Sequence, residues 1–319
     1  MSDKKTKYKN DKTISIVVPV YNEEDSINLF LNRLIPVISN LGINYEVIFS
    51  LDPSSDNTQT LIENAIQKNK NIKLLLFSRR FGQPAAVMAG IFNSLGDYCV
   101  VIDVDLQDPP ELIKNLYIKL LEGYDVVYAK RKSRKGETFL KKIISSFGYY
   151  VINKLTEVKI PKNTGDFRIF SKKIVDELKK LNESHGFLRG LVSFVGYKQA
   201  FVEYDRDIRE KGMGHYNQFT GSFKIGLNGL IGFSSKPLFF MSIIGIILSL
   251  FSFLLGLFYL ILKINGFDFP IGLATTVILI TFFAGINFLG LGLIGEYVGR
   301  IYDEVKGRPM YIIDKKINF

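Results

Sequence analysis

The stretch VVIDVDLQDPPE (residues 100–111) holds the densest concentration of chemistry in the chain. An apolar run leads straight into Asp103-Val104-Asp105. On an extended strand residues i and i+2 share a side, so both carboxylates would converge on one point. Adjacent carboxylates repel unless a cation lies between them, and hard oxygen donors select Mg2+ or Mn2+, ions that also bind phosphates. Two other apolar runs end in comparable loops: VVPVYNEE (17–24) places Tyr21 and Asn22 after the first, and LDPSSDNT (51–58) places Asp52 after the second. An aromatic ring suits stacking on a nucleobase, and a carboxylate accepts a base N–H. Asp56 reads as a helix N-cap.

These loops need elements to position them. Runs at 14–18, 45–51, 72–77, 98–103 and 125–129 read as strands, and their continuous apolar character is that of a sheet covered on both faces. Helical patterns at 25–41, 56–68, 84–94 and 109–122 alternate with them. Such alternation predicts a mostly parallel α/β sheet, which binds ligands at the C-terminal ends of its strands.

The chain has 319 residues, 47% of them hydrophobic, enough for about two domains. One cysteine, Cys99, excludes a disulfide scaffold and a Cys-based zinc site, and two histidines disfavour a His-rich metal site. Of the net charge of +10, nine units sit ahead of residue 237, where 35 Lys/Arg face 26 Asp/Glu; from there on the count is six against five. A basic surface suits nucleic acid, anionic lipid or phosphorylated substrates. Residues 238–262 and 271–295 are two uncharged runs of 25 residues, each longer than the roughly 20 that span a bilayer. Their flanking charges place both outer sides in the cytoplasm and the link 263–270 outside. GLGLIG (290–295) matches a dinucleotide fingerprint but lies inside the second run, where it suits close helix packing. No G-x-x-x-x-G-K-[ST] loop is present, so redox and NTPase classes have little support.

With these motifs in order, the chain resembles membrane-bound family 2 glycosyltransferases, specifically the polyprenyl-phosphate glycosyltransferases related to dolichyl-phosphate mannose synthase. The resemblance runs through VVPVYNEE, SRRFGQPAAVMAG (78–90), DVDLQDPPE, NTGDFRIF (163–170), both apolar runs and GEYVGRIYDEVKGRPMYI (295–312). It implies a GT-A fold and inverting transfer of one sugar from a nucleotide sugar, expected to be UDP-linked, to undecaprenyl phosphate at the inner membrane of a bacterial cell. It further implies nucleotide-sugar contacts at Pro19, Tyr21, Glu23, Asp52, Asp103, Arg209 and His215, and Mg2+ or Mn2+ on Asp103 and Asp105. Gln107 would lie beside the sugar, Asp166 and Arg168 at the reaction centre, and Arg131, Arg134 and Arg168 would clamp the lipid phosphate. A homo-oligomer is expected on the same ground.

The expected organisation is a flexible basic tail without a signal-peptide run (1–11), a GT-A domain (12–217), an amphipathic juxtamembrane segment (218–236), a two-helix anchor (237–295) and a cytoplasmic tail (296–319). Three positions depart from the family pattern: Leu51 and Pro53 in place of the Asp and Gly of a D-D-G-S run, Gly214-His215 in place of Ser-Lys, and Asn287 in place of Gln. The first two motivate a rival reading, an inactive scaffold that binds nucleotide sugars, against which the intact Asp103, Asp105 and Asp166 argue. A processive polysaccharide synthase would need a Q-x-x-R-W motif, and the chain has no Trp. The apolar runs and the lack of a nucleic-acid-binding module speak against a nucleic-acid partner.

Overall fold

The computed structural model describes residues 10–132, 154–156, 158, 161, 164–181, 183, 187–205, 231–266 and 272–319. The N-terminal half follows the predicted alternation. Strand β1 (Asn10–Val20), helix α1 (Glu24–Ser39), β2 (Ile43–Leu51), α2 (Thr58–Lys68), β3 (Ile72–Phe77), α3 (Gln83–Phe92), β4 (Tyr98–Val101), α4 (Leu112–Leu121) and β5 (Val126–Arg131) come in that order. β6 (Thr164–Ser171), α5 (Lys172–Lys180), α6 (Leu188–Val195) and β7 (Gln199–Tyr204) complete the domain, and α7 (Lys236–Ile264), α8 (Leu273–Lys306) and β8 (Ile313–Ile317) follow.

The strands form one eight-stranded mixed sheet in the order β7-β5-β6-β4-β1-β2-β3-β8. β4, β1, β2 and β3 are parallel, whereas β6 runs antiparallel to both neighbours. The side chains of Ile14, Ile16, Val18, Val47 and Phe49 pack in the core that α1, α2 and α4 cover; those of Val17, Val101 and Tyr128 pack with Val87, Met88 and Leu191 of α3 and α6 on the opposite face. Burial on both faces is why these strands read as continuous apolar runs. α3 lies close against β1: a Cβ on Gly90 would stand 2.2 Å from Val17 Cγ1.

Two sequence expectations are corrected here. β4 ends at Val101, so Asp103 and Asp105 belong to a turn beyond it rather than to one strand face. Leu106 in that turn has φ +58°, a left-handed backbone outside the extended region of a regular strand. The segment 296–319 is also more than a tail. α8 continues to Lys306, and after Gly307 the chain adds β8 antiparallel to the edge of β3. The Ser78 N–H donates to Ile312 O at 3.1 Å and the Phe77 and Tyr311 rings lie 5.8 Å apart, so the C-terminus braces the start of the β3–α3 loop.

α7 and α8 have 29 and 34 residues and are long and apolar enough to cross a membrane. Their large apolar side chains face outward, Phe253 and Phe288 among them. The entry to α7 is tied to its surroundings by the Tyr297 hydroxyl, which donates to Ser234 O at 2.6 Å, and by Lys236 Nζ, which donates to Lys154 O at 3.3 Å.

Candidate active site

The loops after β1, β2, β3 and β4 meet at the C-terminal edge of the parallel strands. The first two are stitched together: Asn22 N–H donates to Ser54 Oγ (3.0 Å), Glu23 N–H to Thr58 Oγ1 (2.9 Å) and Ser55 N–H to Asn22 Oδ1 (2.9 Å). Asp56 caps α2 through the Thr58 N–H at 3.1 Å and also accepts the Glu24 N–H at 3.2 Å. Asp52 is buried, and each of its oxygens accepts one backbone N–H at 2.9 Å, from Phe81 and from Gly82. Gly82 has φ +89°, a conformation that suits glycine and turns both N–H groups of the β3–α3 loop inward. Asp52→Asn leaves one of the two N–H groups without an acceptor and is expected to cost about 1–3 kcal/mol, read by thermal unfolding. The Tyr21 ring carries the Arg80 guanidinium 3.8 Å from its centroid.

β6 brings the acidic groups together. Val101 pairs with Arg168 in the β4–β6 register, so the chain beyond β4 runs alongside Gly165 and Asp166 at the start of β6. Asp103 feels Asp105, Asp166 and Asp108 at once. Burial first, and then these three carboxylates, push its carboxyl up to about 8 against the Gln83 hydrogen bond at 2.9 Å, which lowers it. Asp105 Oδ1 accepts the Gln107 N–H at 3.1 Å. Among the described residues no three His, Cys, Asp or Glu side chains hold a metal ion unaided. The carboxylates fit a divalent cation all the same: the donors are hard oxygens in an excess of negative charge, and ligand phosphate or water would complete the shell.

The shift of Asp103 has a consequence for stability. Its carboxyl titrates near 3.8 when unperturbed and about 8 in the fold, so the folded chain keeps a proton that the unfolded chain releases. The contribution favours folding below about pH 4 and is lost as pH rises toward 8. In chelator, the melting temperature of the purified protein in detergent is expected to fall between pH 5 and 8. Asp103→Asn should flatten that slope, and Mg2+ should raise the melting temperature more at pH 8 than at pH 5.

The basic side of the site differs from the sequence expectation. Arg168 is 0% exposed; its Nη2 donates to Gly165 O at 2.7 Å and its Nε to Asp166 O at 3.2 Å, beneath the site. Arg168 is thus enclosed beneath the site, where it supports the backbone of Gly165 and Asp166. Arg131 is held at 3.5 Å by Asp108, which is 1% exposed, and donates to the Tyr204 hydroxyl at 3.2 Å; that hydroxyl donates to Asp108 in turn. This cluster locks the Asp103–Asp108 turn to the ends of β5 and β7. Asp166, 25% exposed, accepts Arg189 Nε at 2.9 Å and lies 3.6 Å from Arg168. Burial raises its carboxyl, but the charges of Arg189 and Arg168 outweigh that and hold it below the usual carboxylate range.

Of the other expected residues, Pro19 is buried in β1 opposite Ser50, Glu23 accepts the Ser26 hydroxyl at 2.9 Å, and Gln107 is half-buried in the turn. Arg134, Arg209 and His215 lie outside the described residues. The structure adds Arg80, Gln83, Asp108, Arg189 and Tyr204. Arg80 and Gln83 stand inside the quoted SRRFGQPAAVMAG motif and Asp108 inside DVDLQDPPE, where they could have been weighed; Arg189 and Tyr204 reach the site only through tertiary contacts.

Comparison with known proteins accords with this geometry. The profile of glycosyl transferase family 2 matches residues 15–179. An uncharacterized glycosyltransferase of Synechocystis sp. is 43% identical over 301 residues, 94% of each chain. A prophage-derived bactoprenol glucosyl transferase of Shigella flexneri is 37% identical over 95% of this chain and 97% of its own. Among solved structures, glucosyl-3-phosphoglycerate synthase from Mycobacterium tuberculosis, in complex with Mn2+, UDP and phosphoglyceric acid, shares the fold with a TM-score of 0.50 at 19% identity, covering 69% of this chain and 78% of its own. The sheet edge with its carboxylate turn and the full-length likeness to sequenced relatives together place the chain: it belongs to glycosyl transferase family 2.

Proposed function

We propose that this protein transfers one sugar from a UDP-linked nucleotide sugar to a polyprenyl phosphate at the cytoplasmic face of a bacterial inner membrane, with inversion. The observation that carries the reading is the turn holding Asp103 and Asp105 beside Asp166, in a chain with two helices of bilayer length. The likeness to a bactoprenol glucosyl transferase over both the sheet domain and the helices supports the acceptor, and the UDP and Mn2+ of the solved neighbour support the donor and the metal. Asp103 and Asp105 would hold Mg2+ or Mn2+, which supplies charge to neutralise the leaving diphosphate. Tyr21 and Asp52, with Pro19 and Glu23, would seat the nucleotide, and Gln107 would face the sugar.

The acceptor needs little activation. A phosphate monoester has a second pKa of about 6 and is largely a dianion at neutral pH. It needs positioning and cations rather than a base. Asp166, held ionised by two guanidinium groups, is a poor proton acceptor, which agrees with a positioning role. Labelled nucleotide sugars offered to the purified enzyme with undecaprenyl phosphate test the reading. Label entering the lipid phase from one UDP-sugar supports it; none from any donor would leave the inactive scaffold.

Orientation has its own test. With both termini cytoplasmic, a cysteine at Asn265, in a Cys99→Ser background, should react with an impermeant thiol reagent in intact cells. A cysteine at Glu304 should react only after lysis. The reverse pattern would invert the topology.

A further inference from the structure

We propose that Arg189 is the cation that receives the acceptor phosphate; this rests on the function proposed above. Arg189 is the second residue of α6, and its Nε donates to Asp166 Oδ1 at 2.9 Å, which fixes the guanidinium beside the reaction centre. Its side chain is 21% exposed. The two other arginines near the carboxylates are placed differently. Arg168 lies below the surface on backbone carbonyls, and Arg131 is bound into the cluster of Asp108 and Tyr204. Arg189 is close enough to perturb both of the others, and it is the most exposed of the three.

Its place relative to the membrane is the second argument. The residues on either side of Arg189 pack toward the chain's entry into α7. The Phe187 and Phe233 rings are 6.1 Å apart, and a Cβ on Gly190 would stand 2.2 Å from Phe233 Cε2. Phe233 precedes the first residue of α7, Lys236, by three positions. α6 therefore touches the carboxylate site through Arg189 and the entry to the membrane-directed helix through Phe187 and Gly190, the side from which a lipid-borne phosphate must arrive. A planar fork of N–H donors suits a phosphate dianion. Its Nε bond to Asp166 explains why a carboxylate sits beside an anion-binding group: it orients the fork.

The test compares wild type, R189Q, R189K, D166N and the double variant R189Q/D166N, each as the full chain in lipid nanodiscs. The readouts are KM for undecaprenyl phosphate, KM for the nucleotide sugar, and calorimetric Kd values for UDP and for undecaprenyl phosphate. A charge-assisted hydrogen bond is worth enough to shift binding about 10- to 100-fold. R189Q is expected to raise the KM and Kd for the lipid phosphate by that factor and to leave the UDP Kd within about twofold. R189K should fall between, since it keeps the charge and loses the fork. The R189Q effect on lipid-phosphate Kd should persist in the D166N background. If it vanishes there, Arg189 acts only by orienting Asp166 and the assignment is overturned. Equal losses for donor and acceptor, or no change, overturn it too. A wild type that transfers sugar while R189Q keeps its acceptor KM refutes Arg189 alone; a wild type that transfers to no polyprenyl phosphate refutes the underlying function.

Discussion

Asp105→Asn is expected to leave the fold intact and to lower turnover by about 10²- to 10³-fold, the usual loss when a preorganised electrostatic group is removed from a reaction centre. Asp105 is half-buried, and its recorded hydrogen bond is acceptance of the Gln107 N–H through Oδ1, which an Asn oxygen accepts equally well. The turn, with Leu106 in its left-handed conformation, therefore keeps its support. What changes is charge. With one of two converging carboxylates neutral, the site attracts a divalent cation less strongly, and the leaving diphosphate departs with less neutralisation. Thermal melts in chelator should show the variant at least as stable as the parent, because the repulsion on Asp103 is reduced. Initial rates over a Mg2+ and Mn2+ series should show the deficit at every concentration. Full activity of the variant in chelator would refute the metal role of this pair.

Arg168→Met carries the largest expected cost in stability, about 3–5 kcal/mol, as when one partner of a buried charged group is deleted. Arg168 is the largest fully buried side chain among the described residues. Burial lowers its pKa, yet it is retained by the carbonyls of Gly165 and Asp166 and by the face of the Tyr128 ring, 4.9 Å from the guanidinium carbon. Methionine fills much of the same space, so the loss measures polar groups left without a partner rather than an empty cavity. Two carbonyls lose donors and Asp166 loses one of the cations around it. Chemical denaturation in mild detergent checks the size. A loss below about 1 kcal/mol would show that water or Arg189 replaces the guanidinium, and the buried arginine would then not be what holds the start of β6.

Much of the sheet and of the loops at its edge was legible in the order of residues. The period of the apolar positions marks β1 to β5 and α1 to α4, and the polar loops after β1, β2 and β4 are the ones that meet at the sheet edge. Those features depend on neighbours within about ten residues, where side-chain direction follows directly from backbone period. The two bilayer-length helices were legible for the same reason, since uncharged length is a local property.

The charge partners of the carboxylates were not, because they are built by pairing between distant segments. Asp103 comes beside Asp166 only through the antiparallel register of β4 and β6, 67 residues apart at Val101 and Arg168. The convergence of Asp103 and Asp105 depends on a turn around Leu106, not on the strand face that i and i+2 spacing suggested. Arg131 and Arg168 were singled out by motif, but their surroundings were not: the burial of Arg168 and the Asp108–Tyr204 partnership of Arg131 exist only in the folded chain. Arg189 reaches Asp166 from α6. β8, polar at three of five positions, carries no strand-like apolar run and is a strand because the open edge of β3 supplies its hydrogen-bond partners. Sequence determined which residues bring chemistry and which loops present it. Tertiary structure decided which charges neutralise one another, because that depends on distance and burial, and neither is a local property of the chain.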